Sequence, residues 1–97
     1  LNIARKNLDI LLKWLEEHKN YFDYVQPKAG VLLFPRLKNI GITTEEMCKE
    51  LYVRYKLLMM PGECFEMPGF LRIGFGNDSQ MFETGLSIFS EFLKTLA

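Results

Sequence analysis

The spacing of apolar and polar residues predicts three amphipathic helices along the chain. The first predicted helix is Ile3–Lys19, whose apolar residues form two stripes at helical spacing, so that both sides are expected to pack against other segments. The first stripe is Ala4, Leu8, Leu11, Leu12 and Leu15, and the second is Ile3, Ile10 and Trp14. The second starts at a capping box, Thr43 to Glu46, and ends near Tyr55 or Lys56. Its buried stripe is predicted to be Met47, Cys48, Leu51, Tyr52 and Tyr55. The third follows the capping residues Asn77–Ser79. Its buried stripe is predicted to be Phe82, Leu86, Phe89, Leu93 and Leu96.

Short apolar runs between the helices predict two pairs of strands. Tyr21–Val25 and Val31–Phe34 flank a turn-forming segment and are predicted to form an antiparallel hairpin that ends at a proline. Leu57–Met60 and Phe70–Phe75 flank a loop with two Pro-Gly pairs. The resulting order, α-β-β-α-β-β-α, is typical of an α+β domain whose helices pack on one side of a small, mostly antiparallel sheet.

The last predicted strand carries a single arginine in an otherwise apolar run. Because strand side chains alternate, Leu71, Ile73 and Phe75 share one face. Arg72 lies on the other face, where the residues two and four positions on are glycines. Glycines leave space beside a planar, permanently charged guanidinium, and such a group suits a carboxylate or a phosphate. This is the one place where the sequence indicates a ligand.

The amino-acid composition limits the kinds of partner that the chain is expected to bind. The chain has 97 residues, 48% of them hydrophobic, which is enough for one small core. Twelve basic and twelve acidic residues give a formal net charge of zero, so the charge does not indicate binding to nucleic acid or to a membrane surface. No apolar run approaches the roughly 20 residues that span a bilayer. Cys48 and Cys64 fit no disulfide framework or metal motif, which predicts two reduced thiols and a cytoplasmic protein.

Three motifs follow one another at a specific spacing. They are the turn and strand Gln26–Pro35, the sequence Pro61-Gly62-x-x-Phe65 and, seven residues later, the strand arginine. Together with the element order over residues 1–97, they resemble the C-terminal small domain of class I/II aminotransferases, the fold-type-I pyridoxal-phosphate enzymes.

The resemblance implies a role for each of these motifs. Arg72 would bind the α-carboxylate of an amino acid or 2-oxo acid, and Pro61, Gly62 and Phe65 would lie in a loop over the cofactor side of the cleft. The parent would be a homodimer that uses pyridoxal phosphate. Its Schiff-base lysine and other catalytic groups would belong to a large domain of the same polypeptide.

No lysine in this sequence has the small-residue context of a Schiff-base lysine. We therefore expect this chain to correspond to the last quarter of such an enzyme. Alone, it is expected to bind neither cofactor nor metal and to be inactive.

Two alternatives stay open at this point. A carbon–sulfur lyase or a synthase could use the same scaffold, because reaction type is set by groups around the cofactor. A stand-alone binding or regulatory module of ferredoxin-like type is the other, although its usual order begins with a strand. Simpler structural roles are also predicted for three residues: packing for Trp14, a helix-end interaction for His18 and a semi-buried position for Cys64.

Overall fold

Three helices and five short strands make up the computed structural model, which describes residues 2–24, 30, 32–38, 41–76 and 78–96. The α+β class is confirmed, and the predicted order holds with one additional strand. The elements are α1 (Asn2–Glu17), β1 (Phe22–Asp23), β2 (Leu32–Leu33), β3 (Arg36–Leu37), α2 (Thr44–Tyr55), β4 (Met60–Pro61), a 3-10 turn (Gly62–Phe65), β5 (Leu71–Gly74) and α3 (Ser79–Lys94).

The strands pair differently from the predicted hairpin. β1 pairs antiparallel with β3, while β2 pairs antiparallel with one side of β5 and β4 with the other side. The predicted pairing of Tyr21–Val25 with Val31–Phe34 is therefore wrong. Residues 26–29, most of the predicted turn Gln26–Gly30, lie outside the described residues.

The error comes from treating Pro35 as the end of a strand. Pro35 has no N–H to donate, but its carbonyl accepts a hydrogen bond from the N–H of Leu71 at 2.9 Å. Two residues on, the N–H of Leu37 donates to the carbonyl of Gly69 at 2.8 Å. A proline is tolerated where the ladder uses only its carbonyl, so the chain continues beside β5 and resumes as β3.

One strand boundary and the burial of one residue also differ from prediction. The strand predicted at Leu57–Met60 is found at Met60–Pro61, and Leu58 is 73% exposed. Tyr52, which was assigned to the buried stripe of α2, is 55% exposed. The capping box is confirmed: the Thr43 hydroxyl accepts from the N–H of Glu46, and the Glu46 carboxylate accepts from the N–H of Thr43.

One apolar cluster draws on all three helices and on four of the strands. Trp14 belongs to it, with its ring centroid 5.8 Å from that of Phe22 and 5.1 Å from that of Phe89. Ile3, on the same predicted second stripe of α1, is 51% exposed, so only part of that stripe is covered. The largest fully buried apolar side chains are Phe22, Phe75, Phe89, Phe92, Leu11, Leu15, Leu33, Met47, Leu51, Leu71 and Leu93.

Candidate functional site

β5 places Arg72 on the face opposite the core, as the alternation predicted. Leu71 and Ile73, its neighbours in sequence, are 0% and 5% exposed, whereas Arg72 is partly exposed. The backbone of β5 is held on both sides, with Arg72 opposite Met60 in β4. The end of the strand is tied to α1, because buried Asn7 donates from Nδ2 to the carbonyl of Phe75 at 3.1 Å. The arginine therefore stands on a firmly positioned strand.

A groove of about 290 Å³ opens beside Arg72. Gly74 lines it on the same strand, and most of its other walls are apolar, including Leu32, Met60 and Met81. Among the described residues that line the groove, Arg72 is the one that carries a charge. An apolar wall lowers the local dielectric constant, so that an anion paired with this guanidinium would interact with it more strongly than in open solvent.

No carboxylate in the described part of the chain pairs with Arg72. Arg36 pairs with Asp23, and Arg54 pairs with Glu50, but Arg72 has neither a salt bridge nor a side-chain hydrogen bond with a described residue. Its guanidinium lies over the ring of Phe65, whose centroid is 4.6 Å from Cζ of the arginine, within the range of a cation–π interaction. The hydrogen-bonding edge of the guanidinium is thus available to an anion.

The loop between β4 and β5 turns tightly at Gly62. The N–H of Gly62 donates to the carbonyl of Phe70 at 2.5 Å, and its carbonyl accepts from the N–H of Met67 at 2.8 Å. A Cβ at this position would lie 2.1 Å from the carbonyl oxygen of Met67, so only glycine fits. Pro61 pairs with Leu71 in the sheet. Of the predicted cleft residues, Phe65 contacts Arg72, while Pro61 and Gly62 support the loop that carries Phe65.

Glu63 fastens the same loop to the first residue of α2, a contact that the sequence analysis did not predict. Both carboxylate oxygens lie 2.7 Å from the hydroxyl of buried Thr44, which donates to them, and the N–H of Gly69 lies 3.5 Å from Oε2. Burial raises the pKa of Glu63, but the hydrogen bonds from Thr44 and from the backbone of Glu63 and Gly69 outweigh it and lower the pKa. The sequence signal for this contact was the pair of threonines at 43 and 44. Because Thr43 caps the helix, the hydroxyl of Thr44 remains available for a hydrogen bond to another segment.

The remaining candidate residues take structural positions. Burial, with the nearby Glu63 charge and Cys64, raises the pKa of Cys48 to about 12, so its thiol stays protonated. Cys64 is exposed, not semi-buried as predicted. His18 packs at the end of α1, with its ring stacked 4.2 Å from that of Trp14. Within the described ranges, no helix is long and apolar enough to cross a membrane, and no acidic, histidine or cysteine cluster could hold a metal ion.

The family model for aminotransferase class I and II matches residues 2–88. The chain belongs to this family. Capreomycidine synthase of Streptomyces vinaceus is 34% identical over 97 residues, which are 100% of this chain and 25% of that protein. The family that the motifs resembled is therefore confirmed.

Solved structures of similar proteins share the fold over nearly the whole chain. A PLP-dependent aminotransferase from Streptococcus suis 89-1591 superimposes with a TM-score of 0.89 at 29% identity, covering 99% of this chain and 25% of that one. A PLP-dependent cyclase, OrfR, gives 0.91 at 31% identity, covering 99% and 27%. This aminotransferase-family chain spans about a quarter of the length of these relatives.

The lysines among the described residues lie away from the Arg72 groove. A Schiff base with pyridoxal phosphate requires a lysine in the cleft, and no described lysine lines the Arg72 groove. Lys38 pairs with Asp23, and Lys28 lies outside the described residues. The other lysines are exposed: Lys6, Lys13, Lys19, Lys49, Lys56 and Lys94.

Proposed function

We propose that this chain is the small domain of a pyridoxal-phosphate enzyme of the aminotransferase family, and that Arg72 binds the α-carboxylate of its amino acid or 2-oxo acid. The observation that carries the proposal is what surrounds the Arg72 guanidinium. Arg72 lines an apolar groove with Gly74, its Cζ lies over the Phe65 ring, and it pairs with no described carboxylate. A cation left in this state within a groove is suited to an external anion.

The chemistry of the guanidinium fits an α-carboxylate. Two parallel N–H groups bind both carboxylate oxygens in one plane, which fixes the direction of the bond to the α-carbon. Hydrogen bonds of this charged kind contribute about 1.5–3 kcal/mol each. Holding the α-carbon next to the reacting groups of the enzyme raises the fraction of bound substrate that is in a productive geometry.

We assign the remaining parts of the site to the full-length parent. A large domain of the same polypeptide would hold pyridoxal phosphate and the Schiff-base lysine, and the small domain would close over it and exclude water. A homodimeric parent and a cytoplasmic location stay predictions, as does the inactivity of this chain alone.

Amino-group transfer between an amino acid and a 2-oxo acid is the first candidate reaction, since the family and the Streptococcus suis relative support it. A synthase or cyclase reaction is the second, because a capreomycidine synthase and a PLP-dependent cyclase are similar to this chain at 34% and 31% identity. An assay of the full-length enzyme for transfer of the amino group to added 2-oxo acids separates the two candidates. Transfer to a 2-oxo acid supports the first; conversion of one substrate without an acceptor supports the second.

Kinetics of an Arg72→Gln variant of the full-length enzyme test the role of the arginine. The substrate is the best of the twenty common L-amino acids, and Arg54→Gln is the matched control. Arg54 also lies over an aromatic ring, that of Tyr55 at 5.5 Å, but it pairs with Glu50 on the surface of α2. We expect Arg72→Gln to raise KM about 10-fold to 100-fold and Arg54→Gln to leave it unchanged. Equal KM values in both variants would refute the assignment.

A further inference from the structure

We propose that Phe65 is a positioning residue that holds the Arg72 guanidinium ready for the carboxylate; this inference rests on the proposed role of Arg72. Phe65 would not touch the substrate. It would act by restricting the arginine to one orientation, and thereby lower the KM of the carboxylate substrate.

The exposure of Phe65 is unusual for a large aromatic residue. Its side chain is 39% exposed and does not belong to the apolar cluster of the core. Its ring contacts Arg72, with the ring centroid 4.6 Å from Cζ of the arginine. A phenylalanine that contributes so little to the core, yet contacts an arginine with no carboxylate partner among the described residues, is better explained by that contact than by packing.

The loop backbone that carries Phe65 is anchored on both sides. Phe65 ends the 3-10 turn that begins at Gly62, and the next residue, Glu66, takes the left-handed conformation with φ of 60°. Glu63, two residues before Phe65, is fastened to Thr44 in α2 by hydrogen bonds of 2.7 Å. The ring is thus carried on a segment that is tied to both α2 and β5, whereas an arginine side chain alone has many rotamers.

Stacking and carboxylate binding do not compete for the same atoms. A cation–π contact uses the flat face of the guanidinium, while its N–H groups point outward in the plane. Cζ of Arg72 lies over the Phe65 ring, and the N–H groups of Arg72 have no side-chain partner among the described residues. Ordering of this kind before the substrate arrives reduces the entropy lost on binding.

Variants at position 65 of the full-length enzyme separate positioning from packing. Phe65→Trp keeps an aromatic face, Phe65→Leu keeps an apolar side chain without one, and Phe65→Ala removes both. The substrates are the best of the twenty common L-amino acids and its carboxamide. We expect Phe65→Ala and Phe65→Leu to raise KM for the amino acid about 2-fold to 5-fold, the size expected of a partly exposed cation–π contact. Phe65→Trp should leave KM at its original value.

Two further readouts identify the route through Arg72. In an Arg72→Gln background, Phe65→Ala should raise KM no further, because the contact is already lost. The KM of the carboxamide should be the same in the Phe65→Leu variant as in the original enzyme.

The failures of the two proposals are distinguishable. If Phe65→Leu keeps the original KM, or if Phe65→Ala raises KM equally in the Arg72→Gln background, Phe65 only packs and this inference is overturned while Arg72 keeps its role. If Arg72→Gln itself leaves KM unchanged, the proposed function fails, and the positioning role fails with it. Melting temperatures of all variants identify any change in KM that comes from unfolding.

Discussion

Replacing Gly62 with alanine tests whether the loop under Phe65 is as tightly closed as it is in the structure. The new Cβ would lie 2.1 Å from the carbonyl oxygen of Met67 and 2.7 Å from that of Phe70. Both atoms belong to the backbone, so no side-chain rotation relieves the clash. The cost is steric alone, since Gly62 is not among the residues with positive φ.

The distances allow the cost to be worked out. Met67 must retreat by roughly 0.9 Å, from 2.1 Å to the 3.0 Å below which real Cβ contacts essentially never occur. Overpacking of this kind costs about 1–3 kcal/mol. The same movement lengthens the two backbone hydrogen bonds of Gly62, each contributing about 1 kcal/mol. We expect Gly62→Ala to lower the free energy of unfolding by about 2–4 kcal/mol, a large part of the roughly 5–15 kcal/mol of a domain this size.

Chemical denaturation followed by the fluorescence of Trp14, the one tryptophan in the sequence and only 7% exposed, measures this free energy. Gly85→Ala in α3 is the matched control. A Cβ there would meet nothing closer than Leu57 Cδ1 at 3.6 Å, an ordinary contact. Alanine in a helix interior should therefore stabilise the chain by about 0.5–1 kcal/mol. A Gly62→Ala chain as stable as the original would refute the close packing of this loop.

Three further changes have outcomes that the structure fixes. Because the pKa of Glu63 is lowered in the folded state, its stabilisation is present above the ordinary carboxyl pKa of about 4.3 and is lost as pH falls through the lowered value. Glu63→Gln should thus cost about 1–2 kcal/mol at pH 7 by urea denaturation, and the difference should vanish in acid; a constant difference would contradict the Thr44 contact. Ellman's reagent should label Cys64 in the folded chain and reach Cys48 only on unfolding, and fast labelling of a Cys64→Ser variant would show that the buried thiol is accessible. Thr43→Ala should cost about 1 kcal/mol by thermal denaturation, and no change would mean that the capping box does not hold α2.

The helices were predictable from sequence because their signals are local. A helix buries every third or fourth residue, and the capping box at Thr43 needs only residues three positions apart. The alternation in β5 placed Arg72 on the open face for the same reason. The proposed ligand role of Arg72 came from family resemblance, because alternation alone does not distinguish a binding arginine from a surface one.

Strand pairing was not predictable because it joins distant segments. Leu33 pairs with Ile73, forty residues away in sequence, and two-residue strands carry almost no pattern. Turn residues favoured a local hairpin, and the carbonyl of Pro35 kept the chain in the sheet where its missing N–H suggested an exit. The contacts of Glu63 and Phe65 depend on the 3-10 turn, which no periodicity indicates.

Selectivity for the carboxylate tests the role of Arg72 most directly. The ratio of kcat/KM for an L-amino acid to kcat/KM for its carboxamide would be measured in the full-length enzyme, in Arg72→Gln and in Arg54→Gln. Because a guanidinium binds a carboxylate through charged hydrogen bonds, Arg72→Gln should lower this ratio about 10-fold to 100-fold, and Arg54→Gln should leave it unchanged. A ratio that stays the same in Arg72→Gln would contradict the account.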